Sequence, residues 1–424
     1  MSFNTKQSKT PFLAFALVSS LFLLWGVANN MNDTLLAAFR RIMSMSDLQS
    51  SLVQFAFYSA YFCCAIPAAL FISRFSYKTG ILLGLTLYAC GTMLFYPAGI
   101  ASSYPFFLFA IYVMAAGCSV LETTANPYIL SLGSPETATR RLNIAQTLNP
   151  IGAICGILVS RTFILSQLSA ADTAERSNMS PADLDALMHS ELNSVSETYI
   201  GIGIVLVILL VIIALVKMPG DRGEAHNLKI GKTFAMLWKN RRWRNGVVAQ
   251  FFYVGVQTGV WSFTIRLAMK ELGVMESDAS LVFLYSIIAF TLFRFFFTWM
   301  MKYFRPERLM MIASIAAIVS TLGVILSHGI ASVVFLISIS AWMSLMFPTI
   351  YGLALEGITG EEAKIGASGL IMAILGGALI TPLQALMSDR LGISESFVVP
   401  LICFLIVMAY SFQTMKEAKS HKEF

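Results

Sequence analysis

The sequence predicts an all-α membrane protein of twelve transmembrane helices in two six-helix bundles, and three observations carry that prediction. First, 57% of the 424 residues are hydrophobic and only 12% are charged, whereas a soluble domain is about one quarter charged. Second, the apolar residues come in blocks of about 20, the length at which a helix crosses a bilayer. Third, weak sequence signals recur at an offset near half the chain. The basic segment SRFSYKTG is echoed by MKYFRPER, Pro127 by Pro348 and Gly152 by Gly376. Each match is weak alone; together they predict two six-span halves.

In chain order the spans are expected at 12–38, 48–72, 79–98, 105–131, 141–167, 199–217, 244–269, 280–302, 308–327, 330–355, 364–387 and 396–415. The first apolar block has no small-residue cleavage site after a short core, so it is read as a retained helix rather than a leader. Residues 168–198 are polar and acidic and are expected to form a loop between spans five and six. Residues 218–243 are basic and are expected to be a cytoplasmic linker, dividing the chain into bundles at 1–217 and 244–424.

Orientation follows from lysine and arginine. With the N-terminus inside, only Arg40, Arg41, Arg161, Arg176, Arg266, Lys270 and Arg390 fall on the outer side, and Arg294 lies within a span. Both termini are therefore expected in the cytoplasm. The net charge of +6 needs no nucleic acid: the basic linker is a topology signal beside anionic membrane lipid.

Other chemistry finds little support. The six cysteines fall in apolar blocks without a CxxC pair and are expected to be small core hydrophobes. No HExxH, GxSxG or Walker pattern occurs. No catalytic residue, metal or cofactor is therefore expected.

Ionisable residues inside spans are functional candidates. Three are deep: Asp33, Glu122 and Arg294. Asp33 stands within the run NNMNDTLL, roughly 11 Å outward of the centre of span one. Trp25, Asn29 and Asp33 share one helical stripe at i, i+4, i+8, flanked by Asn30. Two readings stay open for Asp33: a polar face lining a water-filled cavity, or a charge at the outer interface near Arg40 and Arg41.

Glu122 lies in span four, within CSVLETTANPYIL, far from either interface and with no local cation. A neutral, protonated glutamate avoids most of the cost of burying a charge. Such a group can take a proton from one side and lose it when water reaches it from the other. With no histidine in the spans, the carboxylates are the proton carriers. A buried structural acid is the other reading. Arg294 is read as a structural or gating residue ahead of a substrate contact.

Amides complete the pattern. Asn126 shares a face with Glu122; Gln146 and Asn149 lie three apart in span five; Tyr253, Gln257 and Trp261 align in span seven. An amide offers donor and acceptor together, which suits a vicinal diol, and an indole suits the C–H face of a pyranose. Walls of amide and indole without a substrate-facing cation point to a neutral polyol. A phosphate or carboxylate would call for a fixed positive charge. An exporter of cationic or amphipathic compounds would have fewer amides. A sugar sensor would use the basic linker for a signalling partner.

The segments LWGVANNMNDTLL, LETTANPY, RLNIAQTLN and AQFFYVGVQTGVWSFTIR resemble the L-fucose:proton symporter branch of the major facilitator superfamily, from span one to span twelve. The resemblance implies inward symport of a neutral hexose, L-fucose first, with a proton, by alternating access. The expected setting is a bacterial inner membrane, with the protein a monomer. It implies sugar binding and coupling for Asp33 and protonation for Glu122, and pocket roles for Asn30, Gln146 and Asn149. The glucose/galactose branch usually carries glutamine where Glu122 stands. Against that, the fucose branch has a tyrosine in its span-ten YPT motif, and here the motif is FPT, so Phe347 lacks the hydroxyl and favours the glucose/galactose branch. The charged signature usual after span two is also reduced to SRFSYKTG.

Overall fold

The computed structural model describes residues 11–43, 45, 47–169, 175–176, 178–219 and 230–420, and within its helices the side chains of Asp33, Leu36, Ala37, Arg40, Asp47, Leu48, Ser50, Ser51, Ile230, Glu276, Ser277, Lys419 and Ser420 lie outside the description. Every regular element among the described residues is helical. Eleven helical segments there are long and apolar enough to cross a membrane. The twelfth, span seven, is the unbroken helix Arg241–Leu272. Its polar residues, Gln250, Gln257 and Thr258 among them, lower its hydropathy. At about 1.5 Å per residue its 32 residues are ample for a crossing.

Spans one, two and four are single helices, Phe12–Ile42, Asp47–Arg74 and Tyr104–Ser131. Span five starts at Ala138–Gln146, continues as Leu148–Val159 and ends in one wide turn at Ser160–Ile164. Span ten is Ile330–Met343 followed by Met346–Ala354, and span eleven is Gly360–Met372 followed by Gly376–Leu391.

Span six corrects the expected loop. The helix begins at Pro181, not near 199, and runs to Leu215. Ser180 caps it by accepting the Asp183 N–H at 3.2 Å, and Pro181 occupies the first helical turn, where a missing N–H costs nothing. The polar stretch is helical because one of its faces is buried: Glu191, Leu192, Val195, Ser196 and Tyr199. Glu191 receives both guanidinium nitrogens of Arg176, at 2.9 and 2.6 Å, and the Ser169 N–H at 2.8 Å.

The chain forms two compact units: Leu17–Ala125 with Ile151–Ala225, and Met1–Ala16 with Asn126–Pro150 and His226–Phe424. The half-chain repeat is visible inside them. In the first, a β-carbon at Gly152 of span five would overlap the Leu23 carbonyl of span one. In the second, a β-carbon at Gly376 of span eleven would overlap the Phe251 carbonyl of span seven. Both are backbone-to-backbone crossings that only glycine permits, as small residues do between membrane helices.

The cysteine expectation is half corrected. Cys118 and Cys403 are buried, but Cys63 and Cys90 are exposed.

At the C-terminal end of span seven, Glu271 ties three segments together. It accepts the Gly329 N–H at 2.8 Å, at the start of span ten, and the Ser394 hydroxyl at 2.9 Å. Lys270 and His328 lie 3.8 and 3.6 Å away. Burial pushes this carboxyl up, but the two hydrogen bonds and the neighbouring cations outweigh it and hold it below the usual glutamate range. The stabilisation is thus present above the ordinary glutamate pKa and fades as pH falls through the lower folded value. Glu271→Gln is expected to lower the unfolding temperature at neutral pH. Its deficit against the wild type should shrink below about pH 4, as measured by thermal unfolding in detergent. An unchanged deficit at acid pH contradicts the assignment.

Candidate transport site

In the unit built from Leu17–Ala125 and Ile151–Ala225, spans one, two and four converge on Glu122. Tyr61 of span two, 2% exposed, brings its phenol beside the Glu122 carboxyl. One turn earlier in span four, the Ser119 hydroxyl donates to the Tyr61 carbonyl at 3.2 Å. Span one joins through Trp25, whose indole N–H donates to the Cys118 carbonyl at 3.2 Å. Glu122 itself is half-buried.

Span one divides its stripe by function. Trp25 is buried, its ring edge-on to Phe22 at 4.6 Å, so it braces the helices around Glu122 from within the packed interior. Asn29, one turn further along the helix, is exposed, and Asn30 is half-buried with its amide donating to the Gly26 carbonyl at 3.1 Å. The helix continues without a break past Asp33 to Ile42; the Asp33 side chain lies outside the described residues.

The second unit holds the amides of spans four and five and the aromatic face of span seven. Gln146 donates its amide N–H to the Asn126 side-chain oxygen at 2.9 Å, and both residues are buried. Arg294, 3% exposed, reaches the same corner, donating to the Gln146 carbonyl at 3.3 Å. Its guanidinium carbon stands 4.9 Å from the centre of the Phe290 ring, a cation–π geometry. It neither snorkels nor meets a carboxylate among the described residues. Below it, Asn143 donates to the Thr349 hydroxyl of span ten at 3.3 Å.

Along span seven, Tyr253 is fully buried and donates to the Met343 carbonyl at 2.9 Å. Gln257, Trp261, Phe347 and Asn149 are half-buried. The Trp261 indole donates to the Ser340 hydroxyl at 3.2 Å and stands edge-on to Phe290 at 5.1 Å. Phe347 is tilted against Tyr253 with ring centres 6.3 Å apart. Phe290 therefore links the indole of span seven to the guanidinium of span eight.

Sequence reasoning missed Tyr61, Phe290 and Ser340. Tyr61 stands in YSAYFCCAIP, where a phenol reads as one more aromatic. The usable signal was that a buried glutamate needs a donor, and Tyr61 is one of the few hydroxyls deep in span two. Tyr61→Phe is expected to preserve folding and shift the pH dependence of uptake, because it removes a donor to the carboxyl and little volume. A pH profile superimposable on the wild type's contradicts a link between the two groups.

Comparison with known proteins places this geometry. Residues 12–374 match the family model for the Major Facilitator Superfamily. The L-fucose-proton symporter of Haemophilus influenzae is 42% identical over 432 residues, covering 98% of this chain and all of that protein. A glucose/galactose transporter of Brucella abortus is 31% identical over 96% of each chain. The crystal structure of the Escherichia coli fucose:proton symporter superposes with a TM-score of 0.89 at 34% identity, over 96% of this chain and 99% of that one. The chain belongs to the major facilitator superfamily, in its L-fucose–proton symporter family.

Proposed function

We propose that this protein imports a neutral hexose, L-fucose first, together with a proton, by alternating access. The observation that carries this reading is Glu122, a carboxyl deep in span four that stands beside the phenol of Tyr61. A phenol can donate to the carboxylate or accept from the acid, so the pair accommodates both protonation states. Asp33 shares the coupling role. Asn29, Asn30, Asn126, Gln146, Asn149 and Gln257 supply amides for sugar hydroxyls, and Trp261 an apolar ring face. Tyr253 and Phe347 line the same wall of spans seven and ten, and Arg294 acts as a gate through its hold on Gln146. Two six-span bundles at 1–217 and 244–424 are joined by the cytoplasmic linker 218–243. Both termini face the cytoplasm of a bacterial inner membrane, and the protein works as a monomer.

A second reading, transport of glucose or galactose, is favoured by Phe347, which offers no hydroxyl where a tyrosine would. The two are separated by purified protein in sugar-free vesicles challenged with a panel of hexoses. L-Fucose should cause the fastest external alkalinisation and the greatest uptake. Alkalinisation with glucose or galactose and none with L-fucose would transfer the assignment to the second reading.

A further inference from the structure

The linker carries a short helix, Ile230–Lys239, that transport does not account for. At 100° per residue, Phe234, Leu237 and Trp238 fall on one stripe and Lys232 and Lys239 on the opposite face. The stripe is only partly used by the protein. The helix packs against Arg241–Leu272 and Gly360–Met372. Leu237 is buried there, and Phe234 meets the Trp243 ring edge-on at 6.1 Å. Trp243 is fixed in turn by its indole N–H, which donates to the Gly366 carbonyl at 2.9 Å. Beside this anchored edge, Trp238 remains 59% exposed, and Met236, on the lysine side of the helix, 45%.

The charged side chains of the helix itself are all positive. Arg242 is neutralised by Glu356 and Glu417, and Arg244 turns back to the Trp238 carbonyl at 3.4 Å. Lys232, Lys239 and Arg241 are exposed, and no carboxylate among the described residues pairs with them. Only Asn240 separates this helix from span seven, so the helix lies where the chain enters the membrane.

We propose that the helix Ile230–Lys239 is an interfacial anchor seated on anionic phospholipid of the cytoplasmic leaflet. Trp238 sits at the headgroup–acyl boundary, and Lys232, Lys239 and Arg241 bind lipid phosphates. An exposed indole flanked by unpaired lysines is the composition of a helix lying in the interface plane. Indole rings prefer that depth, and basic residues near the surface draw acidic lipid. The proposal rests on the cytoplasmic placement of the linker given above.

The test uses the full-length protein in vesicles of brominated phosphatidylglycerol or brominated phosphatidylcholine. The emission lost between wild type and Trp238→Phe isolates the signal of Trp238. That signal should be quenched by brominated lipid and shielded from aqueous acrylamide. In mixed vesicles phosphatidylglycerol should be the better quencher, and its advantage should fall about fivefold for each of Lys232→Gln and Lys239→Gln. Quenching by acrylamide and not by brominated lipid overturns the proposal. So does shielding that appears only on addition of cytosolic protein, which would make the helix a docking site for a soluble partner. An impermeant thiol reagent applied to Met236→Cys, in intact cells and in inverted vesicles, reads the side of the membrane separately. A failure of topology is thereby told apart from a failure of the lipid seat.

Discussion

Glu122→Gln is expected to abolish accumulation of sugar against its gradient while leaving exchange of labelled for unlabelled sugar across the membrane. Glutamine keeps the shape of the protonated acid and can still meet the Tyr61 phenol, but it can neither take up nor release a proton. Exchange returns the carrier loaded and needs no deprotonation, whereas net uptake requires it. The effect is large because the whole driving force is lost. A membrane potential of 100 mV supplies about 2.3 kcal/mol per proton, enough for roughly fiftyfold accumulation; the variant should reach a ratio of one. Asp33→Asn is expected to lose accumulation too, and to weaken exchange if Asp33 also binds sugar. Counterflow and uphill uptake in the same vesicles measure both quantities. Full accumulation by both variants contradicts the proposed coupling.

Gly152→Val is expected to prevent assembly of the unit that holds Glu122. Its β-carbon would overlap the Leu23 carbonyl, a backbone atom that cannot rotate away, and span one would have to shift. Overpacking alone costs about 1–3 kcal/mol, and here the shift would also carry away Trp25, which reaches the Cys118 carbonyl from two residues further along span one. Gly376→Val should behave alike in the other unit, at Phe251. Monodispersity in detergent and the unfolding temperature read the effect. Wild-type values for both variants would show that the glycine crossings are not required.

Much of this was legible in the sequence for a physical reason: in an apolar span a polar residue stands out. Glu122, Asn126, Gln146 and Arg294 stood out that way, though not the contact between Asn126 and Gln146, and the glycine offset announced the repeat that the Gly152 and Gly376 crossings display. Residues that are both apolar and polar were misread or missed. Trp25 was placed on the polar stripe of Asn29 and Asp33, yet it is buried and donates its N–H to the Cys118 carbonyl. Tyr61 was hidden by its ring. Partners on other helices, such as Gln146 for Arg294 and Ser340 for Trp261, are set by tertiary packing and leave no local spacing to read. Polarity misled once, at Pro181–Tyr199, where a charged surface conceals a helix with one buried face.

The measurement that bears most directly on the central claim is L-fucose uptake by purified protein in vesicles with an imposed inward proton gradient, with and without a protonophore. Accumulation should rise with the size of the gradient and fall to simple equilibration when the protonophore dissipates it. Equal accumulation in the presence and absence of the protonophore would contradict proton coupling through Asp33 and Glu122.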